Sequence, residues 1–136
     1  LVSLDAPRSA PDNKGEFQQA ENEMSKIWVK GRARAKDVAS FEAWAKELVE
    51  KIRTTDKGTL AFGVYPIGGG EYVFLEMYKD SASAISHLGN VGDLLQRMGD
   101  VAELTAALEV YGDISAELRD TYAAWNAQVA PPLSAI

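Results

Sequence analysis

Cysteine is absent from this sequence of 136 residues, and histidine occurs only once. The first absence removes disulfides, thiolate metal sites and cysteine nucleophiles together. The second leaves little besides carboxylates to ligate a metal, so no metal centre is expected. No stretch approaches the ~18 unbroken apolar residues that a membrane-spanning helix needs, and no membrane association is expected. Basic residues are in the minority: 14 Lys and Arg stand against 20 Asp and Glu, for a net charge of −6. Nucleic-acid binding depends on neutralising phosphates, so no nucleic-acid partner is expected either. The one local basic run, Lys30, Arg32, Arg34 and Lys36, has the i, i+2 spacing of a solvated strand face and its exit. The first residues do not run basic-then-apolar as a secretory signal does. The expected compartment is the cytoplasm, with whose reducing conditions a cysteine-free chain is compatible.

What is present is ordinary for a globular protein, with 46% hydrophobic and 25% charged residues in a length that suits one core. Residues 1–24 are polar and show no sustained period, which predicts a flexible arm with a helical turn around Phe17 at most. Met24 directly precedes the first strand-like run. It is therefore a candidate natural start, with the preceding residues a leader or a vector-derived remnant. Residues 25–113 read as βαββαβ. Alternation predicts strand one over 26–34, and Asp37 or Ser40 caps a helix in which Phe41, Trp44, Ala45, Leu48, Val49 and Ile52 recur at helical spacing. Strands over 59–65 and 71–79 are joined by Pro66-Ile67-Gly68-Gly69-Gly70 as a hairpin. Asp80 caps a second helix over 81–88. Gly89 breaks it, a further helical piece covers 91–98, a helical turn lies near 101–104, and a fourth strand runs over 106–111. In residues 114–136, Ser115 opens a last helix in which Leu118, Tyr122 and Trp125 share a face, followed by an extended tail. The expected fold is α+β, a ferredoxin-like four-stranded antiparallel sheet with its helices on one face.

Two helices cover one face of such a sheet, and the other face is normally polar. Here the strand Tyr72-Val73-Phe74-Leu75-Glu76-Met77-Tyr78 is apolar or aromatic on both sides except for Glu76, and Leu60-Ala61-Phe62-Gly63-Val64-Tyr65 is apolar on both sides. An exposed patch of that size on a monomer is a liability, and pairing with a second copy would hide it. Roughly 800 Å² per partner is the area of a standard stable interface. The alternative is that the C-terminal helix folds back over the open face of its own chain.

The run Tyr72-Val73-Phe74-Leu75-Glu76-Met77-Tyr78-Lys79-Asp80, then Ser81-Ala82-Ser83-Ala84-Ile85-Ser86-His87, places an acid and an aromatic at a strand end before a capped helix with a histidine. With Gly58-Thr59-Leu60 at the entry to strand two and the late Val110-Tyr111, it resembles the antibiotic-biosynthesis-monooxygenase and quinol-monooxygenase group of the dimeric α/β-barrel superfamily. The resemblance covers residues 26–113. The group often has tryptophan where Tyr78 stands, and Pro-Gly after strand one where this chain has Ala35-Lys36-Asp37. It implies a homodimer that oxygenates a small aromatic or quinol compound with O2 and no metal, flavin or haem. Such an enzyme needs a dry pocket, a base near neutral pKa and donors for an oxyanion.

Against that background His87 is the candidate base, with a position at the flank of an apolar helical stripe; a surface or capping histidine is the competing reading. Glu76 is a pocket anchor or second base, or else an ion-pair partner of Arg32 or Arg34 across the sheet. Tyr65, Tyr78 and Tyr111 are candidate hydroxyls for a phenolic substrate, as against packing; Tyr72 belongs to the same set. Asn90 is a candidate ligand contact or a helix cap, and Trp28, like Trp44, a substrate contact or a core residue. The triple glycine joins strand to strand and is no phosphate loop. Two other functions compete. One is a non-catalytic small-molecule-binding dimer. The other is haem degradation, for which relatives use an Asn on the first strand and a Trp beside the helix, neither in place here.

Overall fold

The computed structural model describes residues 26–136; the arm over 1–24 and the turn around Phe17 lie outside them. Strand β1 is Ile27–Ala35, and its burial alternates as its sequence does: Ile27, Val29, Gly31 and Ala33 face inward, while Trp28 and Arg34 are exposed. Helix α1, Val38–Thr55, starts at Asp37, whose carboxylate accepts from the Ser40 amide at 2.9 Å, so both predicted residues form one cap. It buries Phe41, Trp44, Ala45, Leu48 and Ile52. Strands β2, Thr59–Gly68, and β3, Glu71–Tyr78, form the hairpin. β2 runs past the expected end because Pro66 sits on an edge strand, where a missing amide costs no ladder bond, and a register shift follows it. Gly68, Gly69 and Gly70 all have positive φ, which explains the triple glycine at the turn.

Helix α2, Ser81–Asn90, is capped by Asp80, which accepts from the Ser83 amide at 2.8 Å. Gly89 does not break it. The helix runs through Gly89 and ends at Asn90, followed by α3, Gly92–Gln96, and α4, Met98–Val101. The four-stranded antiparallel expectation needs correction. The fourth strand is split into β4, Ala102–Leu104, and β5, Glu109–Tyr111, both antiparallel to β1, so of the predicted helical turn only Val101 is helical, 102–104 are strand, and 106–108 are not. After α5, Ala116–Ala123, the tail adds β6, Gln128–Ala130, parallel to β5. The sheet is therefore six-stranded and mixed, in the order β2-β3-β1-β5-β6 with β4 beside β1.

Two apolar clusters fill the space between the sheet and the helices. One packs α1 and α3 on Ala33, Tyr72 and Phe74; the other packs Ala84 of α2 with Leu118 and Tyr122 of α5 on Ile27, Val29, Tyr78 and Val110. The C-terminal helix thus lies on the same face as α2. It does not fold over the open side, and that alternative is overturned. Within the described chain the opposite face carries Trp28 (52% exposed), Leu75 (47%) and Tyr65 (51%) in the open.

Candidate active site

Between the two clusters the helices stand off the sheet and leave a cavity of about 140 Å³. Its sheet wall is Val29 and Gly31 of β1, Phe62 of β2, and Phe74 and Glu76 of β3; the register pairs Val29 and Phe62 with Glu76, and Gly31 with Phe74. Its helical wall includes Trp44 and Leu48 of α1, His87 and Leu88 of α2, Leu95 of α3 and Tyr122 of α5. Met98, Leu108 and the half-exposed Leu104 and Trp125 complete the lining. Gly31 contributes room: a Cβ there would first meet Leu108 Cδ1 at 3.4 Å. Carbon dominates the lining, and it contains no Lys or Arg.

His87 enters this wall from the last turn of α2, with its side chain 4% exposed. Its Nδ1 lies 2.7 Å from Oδ2 of Asp56, itself 3% exposed. Asp56 is the C-cap of α1, fixed by its own amide to the Ile52 carbonyl at 2.9 Å. Its carboxylate also accepts from Thr59 Oγ1 at 2.7 Å and from Asn90 Nδ2 at 2.9 Å. Burial raises the Asp56 carboxyl, but the bonds from Asn90, Thr59 and His87 outweigh it and hold the pKa below the ordinary 3.8. Burial lowers the His87 imidazole below 6.5 despite the opposing pull of Asp56. At neutral pH the pair is therefore carboxylate and neutral imidazole. Nδ1–H donates to Asp56, and the lone pair sits on Nε2, which has no hydrogen-bond partner among the described residues.

Glu76 is the second ionisable group on the cavity. Its strand position turns it toward the helices, and burial pushes its carboxyl up to about 7 against the Tyr78 hydroxyl, which donates to Oε1 and pulls the other way. The Tyr78 ring, fully buried, packs on His87 with centroids 5.0 Å apart, so one tyrosine separates the two groups. Burial, then the Glu76 charge, raises Tyr78 well above 10, and the same causes raise Tyr122. Both phenols stay protonated at neutral pH.

Of the residues singled out in the sequence, His87 and Glu76 meet on one cavity and Tyr78 links them. Asn90 does not line it and caps no helix of its own; it stands behind Asp56. Trp28, Tyr65 and Tyr111 belong to the other face of the sheet, so they do not line this cavity: Trp28 and Tyr111 are register partners, and the Tyr65 ring lies over Gly63. Tyr72 bonds Glu42 at 2.7 Å, away from the cavity. No ion pair joins Glu76 to Arg32 or Arg34, because arginine and acid face opposite sides of the sheet; Arg34 instead meets Glu71 at 3.1 Å and Glu103 at 3.6 Å. Trp44 is core, as its helical spacing indicates, and also cavity wall. The sequence does not single out Asp56, Thr59 or Tyr122 as site residues. An acid directly after a long amphipathic helix was the only local signal for Asp56. Among the described residues no group of three or more His, Asp or Glu converges as metal ligands would, and no helix is long and apolar enough to cross a membrane.

No protein-family model matches the sequence, and no curated protein matches it. Solved structures match in fold. MupZ from Pseudomonas fluorescens superposes with a TM-score of 0.73 at 20% identity, over 82% of this chain and 88% of its own. A candidate antibiotic biosynthesis monooxygenase from Caulobacter crescentus CB15 gives 0.56 at 19% identity, over 69% and 92%. SnoaB, a cofactor-independent oxygenase from Streptomyces nogalater, gives 0.52 at 13% identity, over 62% and 89%. The chain shares its fold with these three structures.

Proposed function

We propose that this protein is a cofactor-independent monooxygenase that oxidises a small, electron-rich aromatic or quinol compound with O2, and that it works as a homodimer. The observation that carries the reading is a neutral imidazole on the wall of a carbon-lined cavity, with its Nδ1 backed by a buried carboxylate and its Nε2 without a partner among the described residues. The fold shared with SnoaB, itself a cofactor-independent oxygenase, supports it.

The chemistry needs no external reductant when the substrate carries a CH2 beside an aromatic hydroxyl or carbonyl. His87 Nε2 takes a proton, and the resulting anion passes one electron to O2. The radical and superoxide join, forming the C–O bond, and the imidazolium returns its proton to the distal oxygen. Removal of the second C–H proton breaks the O–O bond. The CH2 becomes C=O, and the other oxygen leaves as water. A water-poor cavity favours the anion's electron transfer over its reprotonation. Oxygen uptake with a panel of quinols, naphthols and anthrones tests this. Wild type should exceed buffer, and His87→Ala should lose roughly a hundredfold, within the range of a general base. Uptake no faster than buffer across the panel contradicts it.

The bare outer face supports the dimer. Leu75 lies within it, next to Lys30 and Gly63 in the register. Light scattering at micromolar concentration should give twice the chain mass for wild type and the single chain for Leu75→Lys. A second reading is proton transfer alone, as in isomerisation or hydration. It is favoured by two ionisable groups, His87 and Glu76, on one cavity. Label from 18O2 in the product distinguishes the two readings.

A further inference from the structure

The lining of the cavity contains no cation, so a carboxylate or phosphate bound there would be buried without a counter-charge. The Glu76 carboxyl has one polar partner among the described residues, the Tyr78 hydroxyl on Oε1, and its Oε2 has none. The charged or titratable groups around it are Tyr78 on its own strand, His87 from α2, Asp56 behind His87, and Tyr122 from α5. Val29 of β1, Phe62 of β2 and Leu48 of α1 bring only carbon. Below about pH 7 a carboxyl in such surroundings keeps its proton, and a protonated carboxyl is a donor with nothing of the described protein to donate to. From this juxtaposition we infer that the cavity binds an uncharged, mainly hydrocarbon molecule bearing an acceptor-only oxygen, a ketone or quinone carbonyl, and that Glu76 donates a hydrogen bond to it from Oε2. The inference deepens the oxygenase reading by naming the ligand class and rests on the same cavity. In that reaction the carbonyl is the product oxygen, or the oxyanion that precedes it.

The ligand class can be tested without turnover. NMR-detected titrations of the intact protein use acetophenone, a neutral acceptor-only ketone, and benzoate, a ring of similar size with an anionic group. Acetophenone should bind at pH 6, and benzoate should bind at least tenfold more weakly. As pH rises from 6 to 8 the dissociation constant for acetophenone should increase about tenfold, because a donor with pKa about 7 is mostly lost over that interval. His87 and Asp56 are shifted toward acid, away from the Glu76 midpoint, and Tyr78 and Tyr122 titrate above the window. Glu76→Gln, which keeps a neutral donor at every pH, should abolish the slope. Tyr78→Phe removes the bond that favours the Glu76 carboxylate, so its midpoint should move upward. Wild-type protein that binds acetophenone with this slope but takes up no oxygen keeps the inference and loses the oxygenase reading, which separates the two failures. Absence of acetophenone binding overturns the inference. A pH-independent affinity in wild type, an unchanged slope in Glu76→Gln, or benzoate binding as tightly as the ketone does so as well.

Discussion

Replacing Asp56 by Asn removes one charge from the buried cluster and little volume. The wild-type carboxylate accepts bonds from His87, Thr59 and Asn90, and a longer one from Thr55 at 3.3 Å. An amide has one oxygen to offer, and its NH2 group must face at least one of those donors. Hydrogen bonds to charged groups contribute about 1.5–3 kcal/mol, and an unsatisfied buried donor costs about 1–3 kcal/mol. Partial rearrangement of Asn90 recovers some of this, so a net loss of about 2–3 kcal/mol at pH 7.5 is expected, with the protein still folded. The assay is urea unfolding of wild type and Asp56→Asn from pH 3 to pH 8. The sign of the pH dependence follows from the depressed Asp56 pKa. Its contribution is fully present above the unfolded value of 3.8 and disappears as pH falls through the lower folded value, so the two curves should converge toward pH 3. In activity, the variant should lose roughly tenfold or more beyond any change in folded fraction, because Nδ1–H loses its charged acceptor and His87 becomes a weaker base. Stabilities equal within about 0.5 kcal/mol at pH 7.5, or a gap that widens toward acid, would refute the reasoning.

Gly31→Val should fill the cavity from the sheet side. Acetophenone affinity should drop at least tenfold while urea stability changes by no more than about 1 kcal/mol, since the added carbons enter space bounded first by Leu108 at 3.4 Å and Phe74 at 3.8 Å. Glu76→Gln should stabilise the protein above pH 7 by up to about 3 kcal/mol. The folded pKa of about 7 against the usual 4.5 means that the wild type loses stability as pH rises between those values; the gain should vanish near pH 4.

Local chemistry made much of the fold legible. Asp37, Asp80 and Ser115 each accept an amide bond at the helix starts where their residue types predict it, and the alternation in β1 and the stripe on α1 match the observed burial. The fourth strand was less legible because Ala106 and Ala107 carry no period and the chain leaves the sheet there. The tail reads as extended in the sequence, but its pairing was hidden because two prolines follow the three residues that pair with β5. Within the site, Glu76 stood out as the lone acid of an apolar strand. Which face it occupied did not, since β2 and β3 are apolar on both sides and alternation assigns no direction to such strands. For the same reason Tyr65 could not be assigned to the outer face. Asp56 pairs with a histidine 31 residues away through the end of one helix and the end of another, a contact that no local rule describes.

The central claim is that His87 presents an unprotonated Nε2 to the cavity. Because the chain has a single histidine, its imidazole nitrogens can be observed without ambiguity in a two-bond 1H–15N correlation followed from pH 5 to pH 8. The account predicts the Nδ1–H tautomer at pH 7.5 and a midpoint below 6.5. An Nε2–H tautomer, or a midpoint above 6.5, would contradict it.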